Sequence, residues 1–231
     1  VPHYQTILFD LDGTLIDHFN VIYRCYEHSL TTLGRPVPTY DFVKRSVGGA
    51  MEYTMKKFVD EDTHPEAVRI FREHFAKIFL EDITVLPGVE WLLQHLKEEG
   101  RQLAVFTNKQ GPGSRAIIEH LGFSRFFDRV FGSLDTPHRK PDLAFSEHVL
   151  RELGADASST CMVGDSPWDI AAARVIGMPC FCVTTGTHEI RELEADGADG
   201  VFANFWELGE KVFGLNRTDL PSARSGFLDK K

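Results

Sequence analysis

Cysteine is scarce in this sequence, with four in 231 residues. Cys25 and Cys161 stand alone, and Cys180-Phe181-Cys182 lies inside an apolar run. That spacing gives neither a disulfide framework nor a zinc site. Long apolar runs are missing too. No stretch reaches the roughly 18 residues of a membrane helix. The first residues, Val1-Pro2-His3-Tyr4-Gln5, lack the charged-then-apolar pattern of a secretory leader. Basic charge is in deficit, with 25 Lys and Arg against 34 Asp and Glu, a net charge of −9. A nucleic-acid binder or an anionic-membrane binder wants the opposite balance. Internal repeats and low-complexity segments are absent. These absences predict a reduced, cytoplasmic chain with no nucleic acid and no membrane as partner; monomer and homodimer both stay open.

Short apolar runs of strand length are present and recur. They are Thr6-Ile7-Leu8-Phe9, Leu103 to Phe106, Arg129-Val130-Phe131, Cys161-Met162-Val163, Cys180 to Val183 and Gly200-Val201-Phe202. Consecutive apolar residues suit strands covered on both faces. Helical spacing lies between them, as in Val89, Leu92, Leu93 and Leu96, with Gly100, Gly122, Gly154 and Gly177 at the expected stops. Alternating strands and helices predict an α/β fold with a doubly wound, parallel, Rossmann-like sheet.

One stretch breaks the alternation. From His18 to Leu86 the patterns are helical only, with stripes at Phe19, Ile22, Tyr23, Tyr26, Leu30 and at Val68, Phe71, Phe75, Ile78. Shorter helices are predicted around Phe42-Val43 and over Met51 to Phe58, flanking Gly48-Gly49. The expected division is an α/β core of residues 1–17 and 87–215, a helical insert of 18–86 and a polar tail of 216–231.

Acidic residues fall at the ends of the strands, where open α/β sheets bind ligands. The first strand runs into Asp10-Leu11-Asp12-Gly13-Thr14. At about 5% per residue type, Asp-x-Asp-Gly-Thr arises by chance at roughly one position in 10⁵, so coincidence is a poor account of it. Phe106-Thr107-Asn108-Lys109 places a hydroxyl and an amide at another strand end. Lys140 stands before Pro141, which suits a helix start, so its ammonium is expected beside a helix N-terminus. Val163-Gly164-Asp165-Ser166-Pro167-Trp168-Asp169 ends a third strand on two carboxylates four residues apart, able to share a cation or to cap the next helix.

Taken in order, these four elements resemble the signature motifs of the haloacid dehalogenase superfamily of phosphohydrolases. The helical insert after the first motif is similar to the cap of that family. Within it, the chain looks most like the phosphoglycolate phosphatase-like members, with Ser46-Val47-Gly48-Gly49-Ala50 as the cap loop. The resemblance implies Mg²⁺-dependent hydrolysis of a small phosphorylated metabolite. Asp10 would be the nucleophile and Asp12 the general acid and base. Neighbouring carboxylates are expected to raise the pKa of Asp12 into that role. Thr107 and Lys140 would complete the catalytic set. Gly13, Thr14 and Asn108 would bind substrate, with N–H groups of the Asp12-to-Thr14 turn holding the phosphate. Asp10, Asp12 through its carbonyl, Asp165 and, at longer range, Asp169 would hold the metal.

From Phe42 to Phe58 four basic residues stand against one acid. Arg45 or Lys44, with Gly48 and Gly49, is therefore expected near an acidic leaving group. His18 is expected in a solvated linker. The alternatives left open are a sugar-phosphate phosphatase, a β-phosphoglucomutase-like phosphomutase, and an inactive hydrolase-fold binding protein.

Overall fold

The computed structural model describes residues 4–218. The elements run β1 (Thr6–Phe9), β2 (Ile16–Asp17), α1 (Phe19–Thr32), α2 (Tyr40–Ser46), α3 (Met51–Met55), α4 (His64–Ile78) and β3 (Thr84–Val85). They continue with α5 (Val89–Glu98), β4 (Gln102–Gln110), α6 (Gly111–His120), β5 (Arg129–Ser133), α7 (Leu143–Leu153) and β6 (Thr160–Gly164). The chain closes with α8 (Pro167–Arg174), β7 (Cys180–Val183), α9 (Ile190–Ala195), β8 (Gly200–Phe202) and α10 (Phe205–Phe213). Most of the expected polar tail, from 219 onward, lies outside the described residues.

Six strands form one sheet in the order β5-β4-β1-β6-β7-β8, every pair parallel. The order reverses between β1 and β6, the switch point at which such sheets bind ligands. Alternate strand residues feed two cores. Ile7, Phe9, Leu103, Val105, Cys161 and Val163 pack with α5, α6 and α10 on one face. Leu8, Ala104, Phe106 and Met162 pack with α7 and α8 on the other. This is why the strands read as unbroken apolar runs: both faces are covered. Gly100, Gly122, Gly154 and Gly177 all follow helices with positive φ, as a left-handed terminating residue requires.

Helices α1 to α4 are inserted between β2 and β3, which pair antiparallel through Ile16↔Val85 and Asp17↔Thr84. The insert has its own core, built from Cys25, Tyr26 and Leu30 of α1, Val43 of α2, Met55 of α3, and Phe71 and Phe75 of α4. All four cysteines are buried and unpaired. Among the described residues, no helix is long and apolar enough to cross a membrane.

Candidate active site

Strands β1 and β6 end side by side, and each delivers an aspartate to the switch point. Asp10 is fixed by its backbone N–H donating to Val163 O at 2.9 Å. Asp165 follows β6, and Asp169 lies one turn into the next helix. Asp10, Asp165 and Asp169 are buried and bring carboxylate oxygens within 4.8 Å of one another. Lys140 Nζ reaches the same point, 3.0 Å from Asp10 Oδ1 and 2.6 Å from Asp169 Oδ1.

The electrostatics follow from this crowding. Burial, opposed by Lys140 and aided by Asp169, pushes the Asp10 carboxyl up to about 6. Burial and the charges of Asp169 and Asp10 push Asp165 well above the usual carboxylate range. Burial works against the Lys140 ammonium, yet Asp10 and Asp169 outweigh it and raise the group above an ordinary lysine. Three carboxylates against one ammonium leave a net formal charge of −2. The buried Asp10 Oδ1 has the Lys140 ammonium as its polar partner, at 3.0 Å. Three buried carboxylates that bring hard oxygen donors together, with surplus negative charge, suit an oxygen-seeking divalent cation.

The surrounding chain is shaped to hold these acids. Thr14 Oγ1 donates to Asp165 Oδ1 at 3.0 Å, and Thr187 N donates to Asp165 Oδ2 at 3.1 Å. Asp169 Oδ2 accepts from Ser166 Oγ at 2.6 Å and from the N–H groups of Asp165 and Ser166. Asp169 therefore completes a capping box at the start of α8 while its other oxygen holds Lys140. Gly13 has φ 87°, and a Cβ there would stand 2.6 Å from Asp165 Oδ2, so the position demands glycine twice over.

Several expectations need correction. Pro141 does not open α7, which begins at Leu143 behind the N-cap Asp142. Lys140 instead precedes a cis peptide and turns into the acidic cluster. The N–H groups of Gly13 and Thr14 are engaged by Ile16 O and Leu11 O, so they are not free for phosphate. Thr14 is fully buried on Asp165. Asn108 is tied on both ends of its amide, donating to Gly48 O and Lys140 O and accepting from Lys140 N. It locks the Lys140 loop and the cap loop to β4 rather than offering free donors.

Asp12 departs most from expectation. Its carboxylate does not join the other three. Lys109 Nζ binds both its oxygens, at 3.0 and 2.8 Å, and His18 Nδ1 lies 3.7 Å from Oδ1. Burial alone would raise the Asp12 carboxyl, but Lys109 and His18 hold it well below the usual carboxylate range. His18 is fully buried, not solvated, with its ring edge-on to Phe75. Burial and the charge of Lys109 push its imidazole below the ordinary value. Lys109 reaches inward because the β4–β5 pairing lapses between Phe106 and Gln110, a bulge that frees Thr107, Asn108 and Lys109 from regular alternation.

Above these groups lies a pocket of about 730 Å³, its mouth included, floored by Asp10, Asp12, Thr107 and Lys109. The insert roofs it with Tyr26, Gly48, Gly49, Glu52, Phe71 and Arg72 among others. Gly48 (φ 113°) and Gly49 lie against the Trp168 ring, where a Cβ would come within 2.9 and 3.0 Å. Trp168 thus seats the cap loop on the core. Arg45 is not in the pocket. It crosses the outer seam to Glu192 Oε1 at 2.5 Å and to Thr187 O. Lys44 stands over the Phe19 ring at 4.9 Å. The basic side chains that line the pocket are Lys109 and Arg72, neither of which sequence reasoning assigned to the site. The bulge hid the first and an apolar stripe the second.

Comparison with known proteins agrees with this geometry. Residues 7–183 match the family model for haloacid dehalogenase-like hydrolase. The chain is 31% identical over 229 residues to a phosphoglycolate phosphatase of Caulobacter vibrioides, covering 96% of each. It is 30% identical over 208 residues to the probable phosphatase IndB of Dickeya dadantii, covering 87% of this chain and 90% of the other. Among solved structures it is similar to a predicted phosphatase from Clostridium acetobutylicum, with TM-score 0.84 and 29% identity over 92% of this chain and 100% of that one. By the match over most of its length and by the acids at its switch point, the chain belongs to the haloacid dehalogenase-like hydrolases.

Proposed function

We propose that the chain is a Mg²⁺-dependent phosphatase of a small phosphomonoester, phosphoglycolate-like, working through an aspartyl-phosphate on Asp10. The observation that carries this reading is the buried meeting of Asp10, Asp165, Asp169 and Lys140 at the switch point. Similarity to phosphoglycolate phosphatases supports the substrate class. The chemistry is assigned to a core of 1–17 and 87–215, and substrate enclosure to a cap of 18–86.

The Asp10 carboxylate attacks phosphorus in line as the bond to the leaving oxygen breaks. Lys140 keeps the nucleophile ionised and offsets charge on the phosphoryl group. Thr107 holds a phosphoryl oxygen with its hydroxyl. Asp12 starts ionised under Lys109. An arriving phosphate dianion competes for Lys109 and raises the Asp12 carboxyl, which takes up a proton from solvent and passes it to the leaving oxygen. In the second step Asp12 takes a proton from the water that cleaves the aspartyl-phosphate. Asp10, Asp165 and the Asp12 carbonyl, with Asp169 behind them, would hold Mg²⁺, which would supply the positive charge that the acids lack.

Phosphate release from phosphoglycolate tests the reading. Exhaustive dialysis against EDTA should abolish it, Mg²⁺ should restore it, and Asp10→Asn should remain inactive throughout. Full activity in EDTA would overturn the mechanism.

A further inference from the structure

The roof of the pocket has its own chemistry. Arg72 on α4 is the cationic side chain that the insert contributes to the pocket lining. Its Nη2 pairs with Glu52 Oε1 of α3. The bond uses Nη2 alone, and among the described residues Nε and Nη1 have no acceptor, so displacing Glu52 opens a planar fork of Nη2 with Nε or Nη1. Such a fork matches a carboxylate two-pronged. Glu52 is held from behind, since its carbonyl accepts the His64 ring Nε2 at 2.7 Å.

The rest of the roof disfavours a polyol. Ile22, Met51, Phe71 and Phe75 are apolar. Thr54 Oγ1 is engaged by Ser46 O at 3.1 Å, and Tyr26 OH points to Met51 O at 3.4 Å. Several hydroxyls buried there would lose water without finding partners. A single anionic group finds one receptor.

We infer that Arg72 binds the carboxylate of the leaving group, and that Glu52 is an internal competitor which that carboxylate displaces. Substrates without the carboxylate leave the Arg72–Glu52 pair closed. The pair therefore sorts esters by their far end, while the phosphoryl end is handled by the core. This rests on the phosphatase reading above and adds the determinant of its specificity.

The test compares phosphoglycolate with ethyl phosphate, which carries a methyl group where phosphoglycolate carries its carboxylate. The readout is the ratio of their kcat/KM values. Arg72→Ala should lower that ratio about 10- to 100-fold, chiefly through KM for phosphoglycolate. Arg72→Lys should recover part of it, keeping charge without the fork. Glu52→Gln should raise the ratio about 3- to 10-fold by removing the competitor, a gain that misfolding cannot produce. An unchanged ratio in Arg72→Ala, or a lowered ratio in Glu52→Gln, would overturn the inference. The second result would mark a pair built for hydroxyls. Absence of Asp10-dependent phosphate release from any ester would instead overturn the phosphatase reading itself.

Discussion

Replacing Asp10 by Asn should stabilise the metal-free protein, and only at neutral pH. Asn has the shape of the protonated carboxyl and cannot ionise. An ordinary carboxyl ionises near 3.8, whereas Asp10 in the fold is pushed up to about 6 by burial, against Lys140 and with Asp169. Between those values the native state binds more protons than the unfolded chain, so stability falls as pH rises. By pH 7 the buried carboxylate has lost about 3 kcal/mol relative to its neutral form. Asp10→Asn escapes that loss. In EDTA the two proteins should melt together near pH 4. They should separate through pH 5 and 6, with the variant higher by roughly 6–12 °C at pH 7, taking about 2–4 °C per kcal/mol for a chain of this size. Asp165, raised in part by Asp10, moves the same way and adds to the gap. Added Mg²⁺ should narrow or reverse the order, because a cation bound by the native state stabilises the protein that keeps its carboxylate. The assay is thermal unfolding by circular dichroism from pH 4 to 7.5, with and without metal. A difference that does not change with pH, or a variant less stable at pH 7 in EDTA, would refute the argument that these acids are held together under strain.

Asp12→Ala should slow hydrolysis of alkyl phosphates by about 10²- to 10⁴-fold while sparing p-nitrophenyl phosphate, whose leaving group needs no acid; equal losses in steady-state kinetics would contradict the acid role. Gly13→Ala should destabilise the protein by about 1–3 kcal/mol, since a side chain at φ 87° also strikes Asp165. Its Mg²⁺ affinity by calorimetry should fall with it, and unchanged affinity would remove Gly13 from the support of Asp165.

The strands and the acids on them were legible because each is a local pattern. Thr6–Phe9 and Cys180–Val183 are unbroken apolar runs, and the structure begins and ends those strands at the same residues. Asp10, Asp165 and Lys140 sit in short motifs at strand ends, where topology alone brings them together. What the pocket does above them was not legible, for a different physical reason in each case. His18 follows Asp17 and looks solvated, yet it is sealed beneath Phe75 from a helix more than fifty residues later. Arg72 lies beside Phe71 in a stripe that reads as core, but the same stripe also faces the pocket. Arg45 drew attention by charge density beside Gly48-Gly49. Counting charge gives no direction, and α2 aims Arg45 at Glu192 across the outer seam.

Asp10 and Asp12 show how far a two-residue spacing can mislead. Two carboxylates so close in sequence should repel and share one elevated titration. The fold separates them instead. Asp10 turns toward Lys140, between β5 and α7, and Asp12 toward Lys109, on β4. Each acid has its own lysine, but the balance differs. Asp10 shares its lysine with Asp169, in a buried cluster that also holds Asp165, so its carboxyl rises. Asp12 has Lys109 on both oxygens and His18 alongside, so its carboxyl falls. Environments that push two neighbouring groups apart are the usual sign of divided labour in an active site. Here the division has a structural cause that can be named. The bulge in β4 turns Lys109 inward, and without it the two aspartates would have one cation between them.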